Sequence, residues 1–175
     1  WILDKSKSMK NEIIEWRRNI HMYPELGYQE KRTAKLIEEY LRKWGYKVIT
    51  VIAETGIVGI LKGKEGEKTI ALRADMDALP IEELNDVPYR SRIKGVMHAC
   101  GHDAHVAMLL GAAKILAELR DELKGNVKLI FQPAEEGGNG GKRMVEEGVL
   151  EDPKVDVIYA IHVWSPLPSG TVALK

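Results

Sequence analysis

From Thr69 onward, short apolar runs of strand length alternate with longer segments of helical period, and this alternation constrains the fold more than any other feature. The runs are Thr69–Ala74, Val127–Phe131 and Val155–Tyr159. Between them lie a helical pattern from His102 or Asp103 to about Leu123 and a shorter one from about Gly141 to Glu147. Such alternation predicts an α/β domain, with a mostly parallel sheet flanked by helices on both faces. Each run leads into a polar cluster: Asp75-Met76-Asp77, Gln132-Pro133-Ala134-Glu135-Glu136-Gly137-Gly138 and Ala160-Ile161-His162-Val163-Trp164. Sites in open α/β sheets form at the C-terminal ends of strands, so the three clusters point to one place.

The N-terminal part reads as two amphipathic helices and two strands. Ser8 is placed to cap a helix to about Tyr23, with Ile13, Ile14, Trp16 and Ile20 near helical spacing, and Pro24 stops it. A second helix is expected over Gln29–Trp44, with Leu36, Ile37, Tyr40, Leu41 and Trp44 on one side and Gly45 as its C-cap. Val48–Ile52 and Ile57–Leu61 read as strands separated by Glu54-Thr55-Gly56. Pro80–Met97 has no period and is expected to be an irregular loop, and Thr171–Leu174 forms a last short run.

The charge balance removes several function classes. Lys+Arg and Asp+Glu are both 26, so the formal net charge is zero. There is no basic footprint for nucleic acid and no polybasic patch for a membrane. No apolar run approaches the length of a spanning helix, and Trp1–Lys10 lacks the apolar stretch of a signal peptide. Charged residues make up 30%. The excess Lys and Glu, as over Glu30–Lys43, reads as solvated helix surface, with a thermophilic source as the alternative. The lone cysteine forms no internal disulfide, which suits a reducing, cytoplasmic setting and frees the thiol for metal or catalysis.

That cysteine lies in His98-Ala99-Cys100-Gly101-His102-Asp103-Ala104-His105, with three of the five histidines. A thiolate and an imidazole two positions apart can both reach one borderline-soft cation. A structural zinc finger is disfavoured on this count, because it takes paired Cys and His ligands. Cys100 alone would read as a small buried hydrophobe; beside His102 at a helix start it reads as a ligand. His98 and His105 either support a ligand from behind or are satisfied interior histidines. Asp103 either orients a ligand histidine or caps the helix. Downstream, Pro133 and the glycines after Glu136 frame two adjacent acids, so that one carboxylate can bind metal while the other moves a proton. His162, at the end of its strand, is a further candidate ligand. A Walker loop is excluded by Glu136 and Arg143. An aspartyl phosphatase is disfavoured by Leu79, two positions past Asp77.

These clusters, in this order, with Arg18-Asn19-Ile20-His21-Met22-Tyr23-Pro24-Glu25-Leu26-Gly27-Tyr28 before them, resemble the metal-dependent amidohydrolases. That family includes hippurate hydrolases, indoleacetyl-amino acid hydrolases, N-acyl-amino acid deacylases and thermostable carboxypeptidases. The resemblance implies the co-catalytic metallopeptidase-like fold and two divalent metal ions, with zinc, cobalt or nickel favoured by the thiolate and manganese also admitted. It implies Cys100, His102, Glu136 and His162 as ligands, Glu135 as catalytic base and Asp77 as an orienting acid. Asp75 matches a metal-binding histidine of more distant relatives. The implied substrate is a small N-acyl amino acid or a peptide cut at its C-terminal bond. Members of the family are about twice as long. They insert a dimerisation domain after the equivalent of Thr171, then return to complete the catalytic domain with one more ligand histidine. Residues 1–175 are thus expected to be the N-terminal portion of a catalytic domain, inactive alone, and the full-length protein a homo-oligomer. A non-catalytic metal-binding or assembly fragment is the alternative.

Overall fold

The computed structural model describes residues 1–174. Helix α1 (Ile2–Ser8) buries no residue, and for that reason left no amphipathic signal. Ser8 does not cap the helix that follows. Its hydroxyl donates back to the Lys5 carbonyl, closing α1, and buried Met9 separates α1 from α2 (Lys10–Met22). Helix α3 (Lys31–Lys43) buries Thr33, Ala34, Ile37 and Leu41. It ends in a paired cap, with Gly45 N–H on the Arg42 carbonyl and Tyr46 N–H on that of Leu41. Trp16 of α2 packs against Tyr40 and Trp44 at ring separations of 5.2 and 5.8 Å, which locks the two helices together.

The strands are β1 (Lys47–Ile52), β2 (Gly56–Lys62), β3 (Thr69–Asp75), β4 (Asn126–Gln132) and β5 (Val157–Ala160). Their order in the sheet is β1-β2-β4-β3-β5. The sheet is mixed, not mostly parallel. β3 pairs parallel with both β4 and β5, whereas β2 pairs antiparallel with β1 and with β4. The physical reason is connection length. Three residues join β1 to β2, and a parallel crossover takes a dozen or more. The two parallel pairs are separated by segments long enough to carry α4 (His102–Glu118) and α5 (Gly140–Glu146).

Side chains alternate across the sheet as strand geometry requires. Ile57, Leu61, Leu129 and Phe131 face α2, α3 and α4, forming the larger core. Val58, Ile60, Ala71 and Ile130 face Met144 of α5 and Val149. Full burial of each such large side chain contributes about 1.5–3 kcal/mol, so the α2–α4 face dominates stability. Lys128 is buried on β4, and its ammonium donates to the Val149, Glu151 and Pro153 carbonyls.

Residues 80–97 contain no helix or strand; only the bridge between Leu79 and Met97 closes the loop. Thr171–Leu174 is exposed and has no regular structure, because among the described residues no strand lies beside it to pair with. No helix of the described residues is long and apolar enough to cross a membrane.

Candidate metal centre

Parallel pairing of β3, β4 and β5 brings their C-terminal ends to one side of the sheet, and α4 begins there. Gly101 makes the turn into α4 with φ +83, a conformation that side chains disfavour. A Cβ at that position would come within 2.5 Å of Val163, so the close approach of the His162 segment also requires glycine. Helix α4 then starts with His102, and His105 follows one turn later on the same side.

Among the described residues, three overlapping sets of ligand atoms lie within 4.8 Å of one another: Cys100–His102–His162, His102–Glu135–Glu136 and Asp75–His102–His105. His102 belongs to all three. Its ring is 1% exposed. Its Nε2 lies 3.7 Å from both Asp75 Oδ2 and Glu136 Oε1, and its Nδ1 lies 3.3 Å from Asp77 Oδ1. Neither nitrogen makes a hydrogen bond, nor does Asp77 Oδ1. Unpartnered buried polar atoms are expensive. A divalent cation on the Nε2 side, among a thiol, imidazoles and carboxylates, would satisfy that nitrogen and leave the proton on Nδ1, facing Asp77 Oδ1, so the residues present fit such a group.

The third set is different in kind. His105 accepts the Val163 N–H at Nε2 (2.9 Å), which leaves its proton on Nδ1, 2.6 Å from Asp75 Oδ1. The other Asp75 oxygen takes Arg73 Nη1 at 2.6 Å. Both His105 nitrogens are therefore used within the protein, and Asp75 is held between two cations or donors. These residues brace the site. Asp77 braces it too, accepting the Glu136 N–H at 2.9 Å with one oxygen while the other faces His102. His162 donates from Nδ1 to the Val163 carbonyl (2.6 Å), which turns its Nε2 toward Cys100 Sγ, 3.5 Å away.

The electrostatics of the cluster suit a cation. Burial opposes the charged form of His102, but Asp77, Asp75 and Glu136 outweigh it and raise its pKa. Burial likewise opposes the Asp75 carboxylate, but His105, His102 and Arg73 hold its pKa down at about 2. Asp77 is lowered against its burial by His102 and by the amides of Glu136 and Glu135. The Cys100 thiol is pushed up to about 12, by burial first and then by Glu136, Asp75 and Glu135. A cation placed among these groups would favour the thiolate.

Two candidates stand apart from this cluster. Asp103 neither caps α4 nor touches a ring of the cluster. It is fully buried and accepts from Arg17 Nε (3.0 Å), and it pairs with His21 Nδ1 (2.9 Å). His21 Nε2 continues to Glu83 Oε1 at 3.1 Å. His98 is buried beside His21 with both nitrogens unpartnered, and burial lowers its pKa to about 4. The Arg17–His21–Asp103–Glu83 network was not legible as a unit. Arg17 and His21 are one helical turn apart, but Glu83 comes from an aperiodic loop. A cavity of about 570 Å³ runs from this network to Cys100 and His162, past Tyr89 and Trp164.

Residues 71–175 match the profile of Peptidase family M20/M25/M40. Thermostable carboxypeptidase 1 of Saccharolobus solfataricus is 49% identical over 181 residues, which cover 99% of this chain and 46% of that protein. N-acyl-L-amino acid amidohydrolase of Geobacillus stearothermophilus is 44% identical, over 95% of this chain and 45% of that protein. A crystal structure from Bacillus subtilis, described as a dinuclear metal binding peptidase from the M20 family, superposes with a TM-score of 0.91. It is 42% identical over 97% of this chain and 47% of its own. The chain thus spans about half the length of the relatives it matches.

Proposed function

The chain belongs to peptidase family M20/M25/M40, and from that membership we propose that the protein, in its full natural length, is a metal-dependent amidohydrolase. Its substrates are N-acyl amino acids or peptides cut at the C-terminal bond. The names of the Saccharolobus and Geobacillus relatives support that substrate class.

Cys100, His102, Glu136 and His162 would hold two divalent ions, with zinc, cobalt, nickel or manganese suited to the mixed thiolate, imidazole and carboxylate set. Bound there, the ions would supply Lewis acidity, polarising a carbonyl and acidifying water. Glu135 takes the proton of the attacking water and returns it to the leaving amine. Asp77 fixes His102 from the Nδ1 side and fixes the turn that carries both glutamates. Asp75 and His105 hold the ends of β3, α4 and the His162 segment in register. The cavity beside Cys100 and His162 offers the substrate a path to these groups. The one cysteine of these 175 residues suits a cytoplasmic setting, and the full-length protein would work as a homo-oligomer, as in the family it resembles.

One observation carries this reading. Two adjacent glutamates share a turn facing His102, a buried histidine with both ring nitrogens unpartnered. In the full-length protein, Glu135→Gln should retain its metal and lose turnover at least ~10²-fold. The measurement is release of free amino acid from a panel of N-acyl substrates and peptides with zinc, cobalt or manganese added. Near-normal release by that variant would refute the role of Glu135.

A further inference from the structure

A second buried carboxylate grips the glutamate-bearing turn, from a position that reads in sequence as solvated helix surface. Glu30, just before α3, is 0% exposed. Its Oε1 accepts the Ala134 N–H at 2.9 Å, and its Oε2 accepts the Thr55 hydroxyl at 2.5 Å. Burial raises its pKa, against the opposing pull of the Thr55 and Ala134 bonds. A carboxylate kept in such a place calls for a reason, because a buried acid costs free energy that a surface acid does not. Ala134 supplies one. It sits at φ +48, where a residue with a Cβ is disfavoured, so its conformation is imposed from outside. Its carbonyl takes the Gly140 N–H at 3.1 Å, and Gly138 packs directly against its methyl group. The next residues are Glu135 and Glu136, and the Glu136 amide is held by Asp77.

Two buried carboxylates therefore hold alternate amides of one turn. Asp77 comes from the end of β3, and Glu30 from the start of α3. We infer that Glu30 is a positioning residue for the reaction, fixing the Ala134 amide together with Thr55 and so aiming Glu135 and Glu136 at the His102 side. This inference rests on the roles proposed above for those two glutamates. It also gives the N-terminal segment a role at the site. The Glu25 carbonyl accepts the Ala78 N–H at 2.8 Å beside Asp77, while Glu30 reaches the other turn.

The test uses the full-length protein and three variants. Glu30→Gln keeps the shape and both bonds: its oxygen still accepts from Ala134, and its amide donates to a Thr55 hydroxyl that turns about. Glu30→Met keeps the bulk and makes neither bond. Thr55→Val removes one bond and serves if Glu30→Met does not fold. Each is titrated with cobalt(II), followed by its visible absorption, and each is assayed for kcat and KM at saturating metal. Glu30→Met should weaken cobalt binding about 10-fold or more and lower kcat to a similar degree, as loss of an outer support does. KM should stay within about threefold. Glu30→Gln should recover most of both, and Thr55→Val should fall between. Suppose instead that Glu30→Met, or Thr55→Val in its place, melts lower while its folded molecules bind cobalt and turn over normally. Glu30 is then only a fold residue, and the inference is overturned. A folded Glu30→Gln as impaired as Glu30→Met overturns it too. Either result alongside an inactive Glu135→Gln leaves the proposed function standing, whereas an active Glu135→Gln removes its base.

Discussion

Cys100 is surrounded by Glu136, Asp75 and Glu135, and with its burial they push the thiol up to about 12. As the ligand proposed above, Cys100 would add little to folding as a neutral thiol and much to cation binding as a thiolate. Cys100→Ser should therefore weaken zinc or cobalt binding at least ~10-fold, since a hydroxyl replaces a soft ligand poorly. The melting temperature should fall by no more than a few degrees, equivalent to under about 1 kcal/mol. Metal content after dialysis, measured beside a melting curve, decides it. Unchanged content with a collapsed melting point would make Cys100 a core residue. At this scale the sequence is legible where residue type is itself rare. The one thiol, two positions from an imidazole, marks this region in sequence, and the structure sets Cys100 3.5 Å from His162. For Asp103 and His98 the sequence leaves alternatives open. Both lie toward His21: Asp103 faces away from His102 because successive residues of α4 point in different directions, and His98 sits in the irregular segment before that helix.

The turn between β4 and α5 shows how an element constrains its residues. Gly140 opens α5, and a Cβ there would fall 1.8 Å from the Pro133 carbonyl oxygen. No side-chain rotation relieves a clash with backbone. Gly140→Ala should destabilise the protein by about 3 kcal/mol and lower turnover with it, because the backbone that shifts carries Glu135. The neighbouring Gly141→Ala meets only the Gln132 side chain, at 3.0 Å, and should cost under about 1 kcal/mol. Urea unfolding of the two variants compares them, and equal midpoints would show that the turn is not tight. The glycine run marked this turn in sequence, but its contacts could not be read there. Glu30 illustrates why. It precedes the apolar stripe of α3 and so carries no periodic signal, and its burial comes from Thr55 and Ala134, which are distant in sequence. The β1 and β2 strands are legible as such, but the parallel expectation rests on the alternation after Thr69 and takes no account of them; their three-residue connection forces an antiparallel pair and makes the sheet mixed.

The two edges of the sheet are unlike, and this decides how the 175-residue chain meets others. On the β1 edge, pairing slips between Ile49 and Ile52, and Val51 takes φ +64. Such a bulge bends an edge away from further pairing. Among the described residues, nothing comparable protects the β5 edge. It is four residues long, all of them exposed, and it leads into more apolar surface: Tyr159 is 58% exposed, Ile161 71% and Trp164 62%. An unpaired strand beside a contiguous apolar face recruits other chains. A strand whose inward side chains lack cover also contributes little burial, so β5 should be the first strand to fray. The 175-residue chain alone should therefore self-associate at about 100 µM, seen as a concentration-dependent mass in sedimentation or light scattering. Tyr159→Lys with Ile161→Lys should restore a monomer, since like charges along an edge oppose pairing. Their own removal from the core costs little, because both are already exposed. A monodisperse wild-type chain over that range would show that this face does not drive association. If the double variant still associates, the contact lies elsewhere, and exposed Trp1, Ile2 and Leu3 at the start of the chain become the next surface to charge.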